Sequence, residues 1–152
     1  MREIEFRCLW DGQTVARPHV WERIVGSDHT TLALRATYQT QLRRAAAEIG
    51  CQYVRFHGLL SDDVGTLLQQ GTERIHSFFN AHRIRDAVLD AGMRPFVELS
   101  FMPTAIASGH STVFHYRGNV TPPGDWNDWS ALNPRRIRFD STIDHLHPEY
   151  QG

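Results

Sequence analysis

Two stretches of the chain repeat one pattern: an amphipathic helical stripe, a glycine, then a short apolar run. In the first, Tyr38, Leu42, Ala45 and Ile49 fall at i, i+4, i+7 and i+11, while Gln39, Arg43, Arg44 and Glu48 lie mostly off that stripe. The spacing predicts a helix over 36–49, closed by Gly50 as the residue after the C-cap. Tyr53-Val54-Arg55-Phe56 then reads as a strand. In the second stretch, Ile84, Ala87, Val88 and Ala91 make the stripe of a helix over 81–91. Asn80 offers its N-cap and Gly92 its end. A strand over 94–100, RPFVELS, comes next, with Pro95 at its start, where a missing N–H costs little. An earlier apolar stretch, 20–25, ends in Gly26-Ser27 and is the candidate first strand.

Strands that alternate with helices predict a parallel sheet and an α/β fold. The connections after the strands are long, 57–79 and 101–123, whereas those before them are a glycine and one or two residues. Long loops at the C-terminal strand ends and a tight opposite face are expected of a (β/α) barrel more than of a doubly wound sheet. The chain has neither GxGxxG nor GxxxxGK[ST], so the nucleotide-binding versions lose support. Further on, Trp126, Trp129 and Leu132 begin a helix with both tryptophans expected in the core. Asn133-Pro134 breaks it, and no element is assigned to 133–152.

Composition narrows the partners. The 152 residues suit one domain. With 22% charged residues and a net charge of −1, no strong field favours nucleic acid or an anionic membrane. No apolar run approaches the roughly 18 residues needed to span a bilayer. The N-terminus, MREIEFRCLW, has no signal-peptide core, so a cytoplasmic protein is expected. Cys8 and Cys51 are too few for a disulfide scaffold or a cysteine zinc site, and Cys51 reads as a small hydrophobe. Four Trp, four Tyr and eight Phe exceed the needs of a core modestly, as residues that stack on sugars or bases would.

The chemistry gathers at the strand ends. In YVRFHGLLSDDVG, Arg55 and His57 share one face of their strand, opposite Val54 and Phe56. On the next strand Glu98 and Ser100 share a face, opposite Val97 and Leu99. In a barrel Arg55, His57 and Glu98 then come within contact, and the guanidinium and carboxylate form a charge-assisted pair. That pair either fixes packing or shapes a polar floor for a ligand. A metal site at His57, Glu98 and His115 is an alternative that requires neutral imidazoles and an open position; no HxH or HExxH supports it. Asp62-Asp63 is expected to be a solvated turn that caps the next element. His76, His82, His110, His145 and His147 are expected at the surface.

Four motifs, VGSDHTTLALRATYQTQLRRAAAEIG, YVRFHGLLSDDVG, RIRDAVLDAGMRPFVELSFMP and ASGHSTVFHYRGNVTPP, resemble in sequence and order the first part of the catalytic domain of glycoside hydrolase family 39, the β-xylosidases. The resemblance runs from about residue 18 to 132. It implies a (β/α)8 TIM-barrel fold and retaining hydrolysis of β-xylosides with no cofactor or metal. Xylose-containing oligosaccharides or β-xylosides are then the partners. It also implies that Arg55 and His57 help to build the sugar-binding floor, that Phe114 lines the subsite of the xylose being cleaved, and that Glu98 belongs to the pocket wall without being catalytic. In the family the acid/base Glu sits in an Asn-Glu-Pro motif at the fourth strand and the nucleophile much further on. The chain contains no Asn-Glu-Pro, so no catalytic residue is expected in it.

A (β/α)8 barrel usually takes about 250 residues. The expectation is therefore about the first three βα units over 18–132 and a tail, 133–152, that is not family-like. Alone, such a chain is expected to be inactive. The alternatives are a non-catalytic sugar binder or an inert fragment, with self-association through exposed sheet edges.

Overall fold

The structure is a computed structural model and describes residues 4–7 and 15–132. The tail assigned to 133–152, with His145 and His147, and Cys8 lie outside the described residues. Three parallel strands form the central sheet: β1 (Ile24–His29), β2 (Tyr53–His57) and, after a β3–β4 hairpin (Leu67–Gln70 and Glu73–His76), β5 (Arg94–Val97). Their order is β1-β2-β5, with Tyr53 opposite Ile24 on one side and Arg94 on the other. Helix α1 (Ala36–Arg44) runs on through a π-helical turn, Ala45–Ile49, and α2 (Phe79–Asp90) precedes β5. Gly50 and Gly92 have φ of 82° and 78° and end the two helices in the left-handed conformation, as the pattern predicts.

Alternation along β2 divides the sheet into two faces. Val54 and Phe56 are fully buried and join Leu42, Ile84, Val88 and Met93 in one apolar cluster between sheet and helices. Arg55 and His57 take the other face. A second cluster packs above the C-terminal strand ends, where Leu59, Leu60, Leu67, Ala81, Ile106 and Leu132 meet Phe78 and Trp129. It anchors the long connections, which carry their own structure. The β3–β4 hairpin lies in the first. The second holds a 3-10 turn, Thr104–Ile106, and the short ribbon of β6 (Thr112–Val113) and β7 (Gly118–Asn119). Helix α3 (Trp126–Leu132) closes the described chain. Among the described residues no helix is long and apolar enough to cross a membrane.

Four expectations shift. Residues 20–22 form a 3-10 turn and the first strand runs from Ile24 to His29, so Gly26-Ser27 lies inside it. The register slips between Gly26 and His29, and that irregularity carries the strand past the residues that read as its end. Strand β5 stops at Val97, because Glu98 turns to Arg55 and Ser100 bonds to the loop after β2, through Leu60 N–H and Gly58 N–H. Helix α2 starts before Asn80, whose side-chain amide donates instead to Val64 C=O at 2.9 Å. Phe78 stands at the N-cap without a capping bond and is held by packing. Trp129 packs as expected, but Trp126 is exposed, on the outer side of α3 from buried Leu132.

Tyr38 ties α1 to the sheet, its hydroxyl in contact with Ser27 Oγ. Burial pushes this phenol above its ordinary value, Asp28 adds to the rise, and the Ser27 bond opposes it. The folded state thus favours the neutral phenol. Its stabilisation is complete below the unfolded value of about 10 and is lost as pH rises through the folded one. Urea midpoints followed from neutral to alkaline pH should fall in wild type and fall less in Tyr38→Phe.

Candidate functional site

The C-terminal ends of β1, β2 and β5 open on one face, and the loop carrying β6 and β7 folds over them. On this face Arg55 Nε lies 2.5 Å from Glu98 Oε1, across the paired strands β2 and β5. The guanidinium is half-exposed and the carboxylate three-quarters buried. No N–H points along the contact, so Glu98 Oε1 is close to a cation yet lacks an aligned donor. A half-exposed pair of this kind adds roughly 0–1 kcal/mol. Its effect is to hold both groups at the mouth.

His57 does not complete this pair. Its Nε2 meets the Tyr116 hydroxyl at 2.5 Å, with Asp28 Oδ1 at 3.6 Å from the same nitrogen. Thr30 Oγ1 donates to the His57 carbonyl at 2.6 Å and fixes the strand end. The Phe114 ring stacks on the imidazole, centroids 5.5 Å apart and planes at 16°, while Phe101 meets it edge-on at 5.8 Å. Phe114 and Arg117 take φ of 59° and 54°, a conformation that non-glycine residues adopt rarely and that lifts the exposed Phe114 ring over the mouth. Arg55, His57, Glu98 and Phe114 are thus gathered on one face, as two coupled pairs.

His29 is the principal residue that the pattern along the chain does not mark. It ends β1, is only 6% exposed, and stands opposite His57 in the register. Its Nε2 bonds Asp63 Oδ2 at 2.7 Å, and its ring stacks on Tyr116 with centroids 4.2 Å apart. Asp28, beside it, and Tyr116 belong to the same group. The one signal in the chain was the polar pair Asp28-His29 just after an apolar stretch, and it is hidden when the strand is taken to stop before Gly26.

The acidic turn differs from its expected role. Asp62 accepts from Thr104 N–H at 3.0 Å and Thr104 Oγ1 at 2.5 Å, and Asp63 accepts from His29. Asp62 ties the loop after β2 to the 3-10 turn at Thr104 and Asp63 ties it to the end of β1, so neither is simply solvated. His82 is half-buried with Nε2 lacking a partner, and His76 is half-buried; His110 is exposed as expected. His115 is exposed and edge-on to Tyr116. It does not join His57 and Glu98: among the described residues no three His, Cys, Asp or Glu side chains are grouped to hold a metal.

Charged and aromatic side chains at the C-terminal ends of parallel strands are where α/β enzymes bind small molecules. The sequence profile of glycosyl hydrolases family 39 matches residues 12–138, and the chain belongs to that family. It is 48% identical over 113 residues to a beta-xylosidase of Caldicellulosiruptor saccharolyticus, covering 74% of this chain and 23% of that protein. A beta-xylosidase of Geobacillus stearothermophilus is 43% identical over 116 residues, again covering 23% of the relative. Among solved structures, the GH39 enzyme from Xanthomonas axonopodis pv. citri superposes with a TM-score of 0.71 at 31% identity, over 85% of this chain and 24% of that one. A GH39 beta-xylosidase from Caulobacter crescentus gives 0.69 at 30%, over 85% and 28%. The chain therefore spans about a quarter of the length of these relatives.

Proposed function

We propose that these residues supply part of the substrate-binding floor of a retaining β-xylosidase built on a (β/α)8 barrel, of which 18–132 is the N-terminal portion. Arg55, His57 and Phe114 hold the xylose, Glu98 forms the wall, and hydrolysis requires two catalytic carboxylates from outside the 152 residues. The observation that carries this reading is that the Arg55–Glu98 pair and the His57–Phe114 stack share one strand-end face. Pairs of charged donors and acceptors beside an aromatic face suit a ring of hydroxyls with apolar C–H edges. The outer edges of β1 and β5 are unpaired among the described residues, which supports self-association there.

Calorimetry of the 152-residue chain with xylose and xylobiose tests the floor. Saturable heat that weakens in Arg55→Ala and Phe114→Ala is expected. No heat at millimolar ligand would sink it and leave an inert fragment.

A further inference from the structure

Tyr116 lies between two imidazoles, and contact with a sugar does not account for its position. One ring face stacks on His29, centroids 4.2 Å apart and planes at 7°. Its hydroxyl reaches His57 Nε2 at 2.5 Å. His29 is an immobile backing: Asp63 holds one edge at 2.7 Å, Gly58 lies against the other, and the ring is buried. The phenol is therefore fixed in both place and direction.

Such a bond has two protonation patterns: the phenol donates to a bare nitrogen, or the ring N–H donates to the phenol oxygen. Two observations favour the first, the lack of another acceptor for the hydroxyl and the distance of Asp28. The hydroxyl has no other hydrogen-bond acceptor among the described residues. Burial, with Asp28 and Asp63 adding to it, pushes the phenol above its ordinary value, so it is neutral in either pattern. Asp28, the competitor that would draw a proton onto Nε2, is 3.6 Å from that nitrogen, too far for a hydrogen bond.

We propose that Tyr116 is a positioning residue for His57: backed by His29 and Asp63, its hydroxyl donates to His57 Nε2 and places the imidazole proton on Nδ1. His57 then offers an N–H donor to an oxygen-rich ligand. The use of that donor on a sugar hydroxyl rests on the function proposed above, whereas the tautomer stands without it.

Nitrogen-detected imidazole NMR of the 152-residue chain, at a pH where His57 is neutral, reads the tautomer directly. Wild type should show a pyridine-like Nε2 and a pyrrole-like Nδ1 at His57. Tyr116→Phe keeps the half-exposed ring and its stack. It should shift both signals toward each other as the tautomers mix, with the backbone amide spectrum otherwise preserved. Asp28→Asn should leave the pattern in place. A pyrrole-like Nε2 in wild type, a pattern unmoved by Tyr116→Phe, or one moved equally by Asp28→Asn overturns the proposal. Xylose added to the wild-type sample separates the two readings. The expected tautomer without any xylose response supports the role of Tyr116 and rejects the sugar floor.

Discussion

Gly58→Ala should destabilise the fold by about 2–5 kcal/mol, combining a left-handed backbone penalty of about 1–2 kcal/mol with about 1–3 kcal/mol of overpacking. Gly58 has φ of +83° and comes directly after β2. A β-carbon there would sit 2.3 Å from His29 Nδ1, 2.4 Å from its Cε1 and 3.0 Å from Ser61 Oγ. The imidazole cannot swing clear, since Asp63 holds its far nitrogen and Tyr116 covers its face. Displacing it would carry the disturbance through Tyr116 to His57. Against a typical total stability of about 5–15 kcal/mol, such a loss is large. Gly71→Ala is the control: its φ is +61° with nothing within 4 Å of the added carbon, so only the backbone penalty applies. Urea unfolding of both variants measures the difference. If Gly58→Ala is no worse than Gly71→Ala, His29 is not a rigid neighbour and its role as a backing fails with it.

The parts of this fold written in local spacing were legible from the chain. Helix α1 with Gly50 and β2, and helix α2 with Gly92 and β5, each arise from an apolar period and a glycine that tolerates positive φ. Strand alternation in an assumed barrel brings Arg55, His57 and Glu98 together; Arg55 and Glu98 do pair, although Phe96 stands opposite Arg55 and Glu98 lies just past β5. What was not legible depends on contacts between residues distant in sequence. The end of β1 passes through a register slip, which no alternation rule anticipates, and His29 arrives at the site because of it. The β3–β4 hairpin has short strands whose residues are mostly exposed, so no buried face marks them. Asp62 and Asp63 look like any acidic turn until Thr104 and His29 are brought to them. The bond from His57 to Tyr116 likewise requires the β6–β7 loop to fold back over the strand ends.

On the proposed function, the 152-residue polypeptide alone should hydrolyse an aryl β-xyloside no faster than buffer. Retaining hydrolysis uses two carboxyl groups about 5–5.5 Å apart, one attacking the sugar and one passing a proton to and from the leaving group. Near the mouth three of the four described carboxylates are already engaged. Glu98 is paired with Arg55, Asp62 with Thr104 and Asp63 with His29. Asp28 is more than half exposed beside His57. None stands in an Asn-Glu-Pro context, which the chain does not contain. The expected deficit is thus the full enzymatic acceleration, roughly 10⁶-fold or more, whereas sugar affinity at the floor should persist, because holding the ring and breaking its bond use different groups. Steady-state assays on the purified chain decide the matter when run with Glu98→Gln and Asp28→Asn beside wild type. Turnover that either substitution abolishes would show that the chain carries catalytic carboxylates of its own, and would make Glu98 or Asp28 one of the reacting pair in place of a wall or a neighbour of His57.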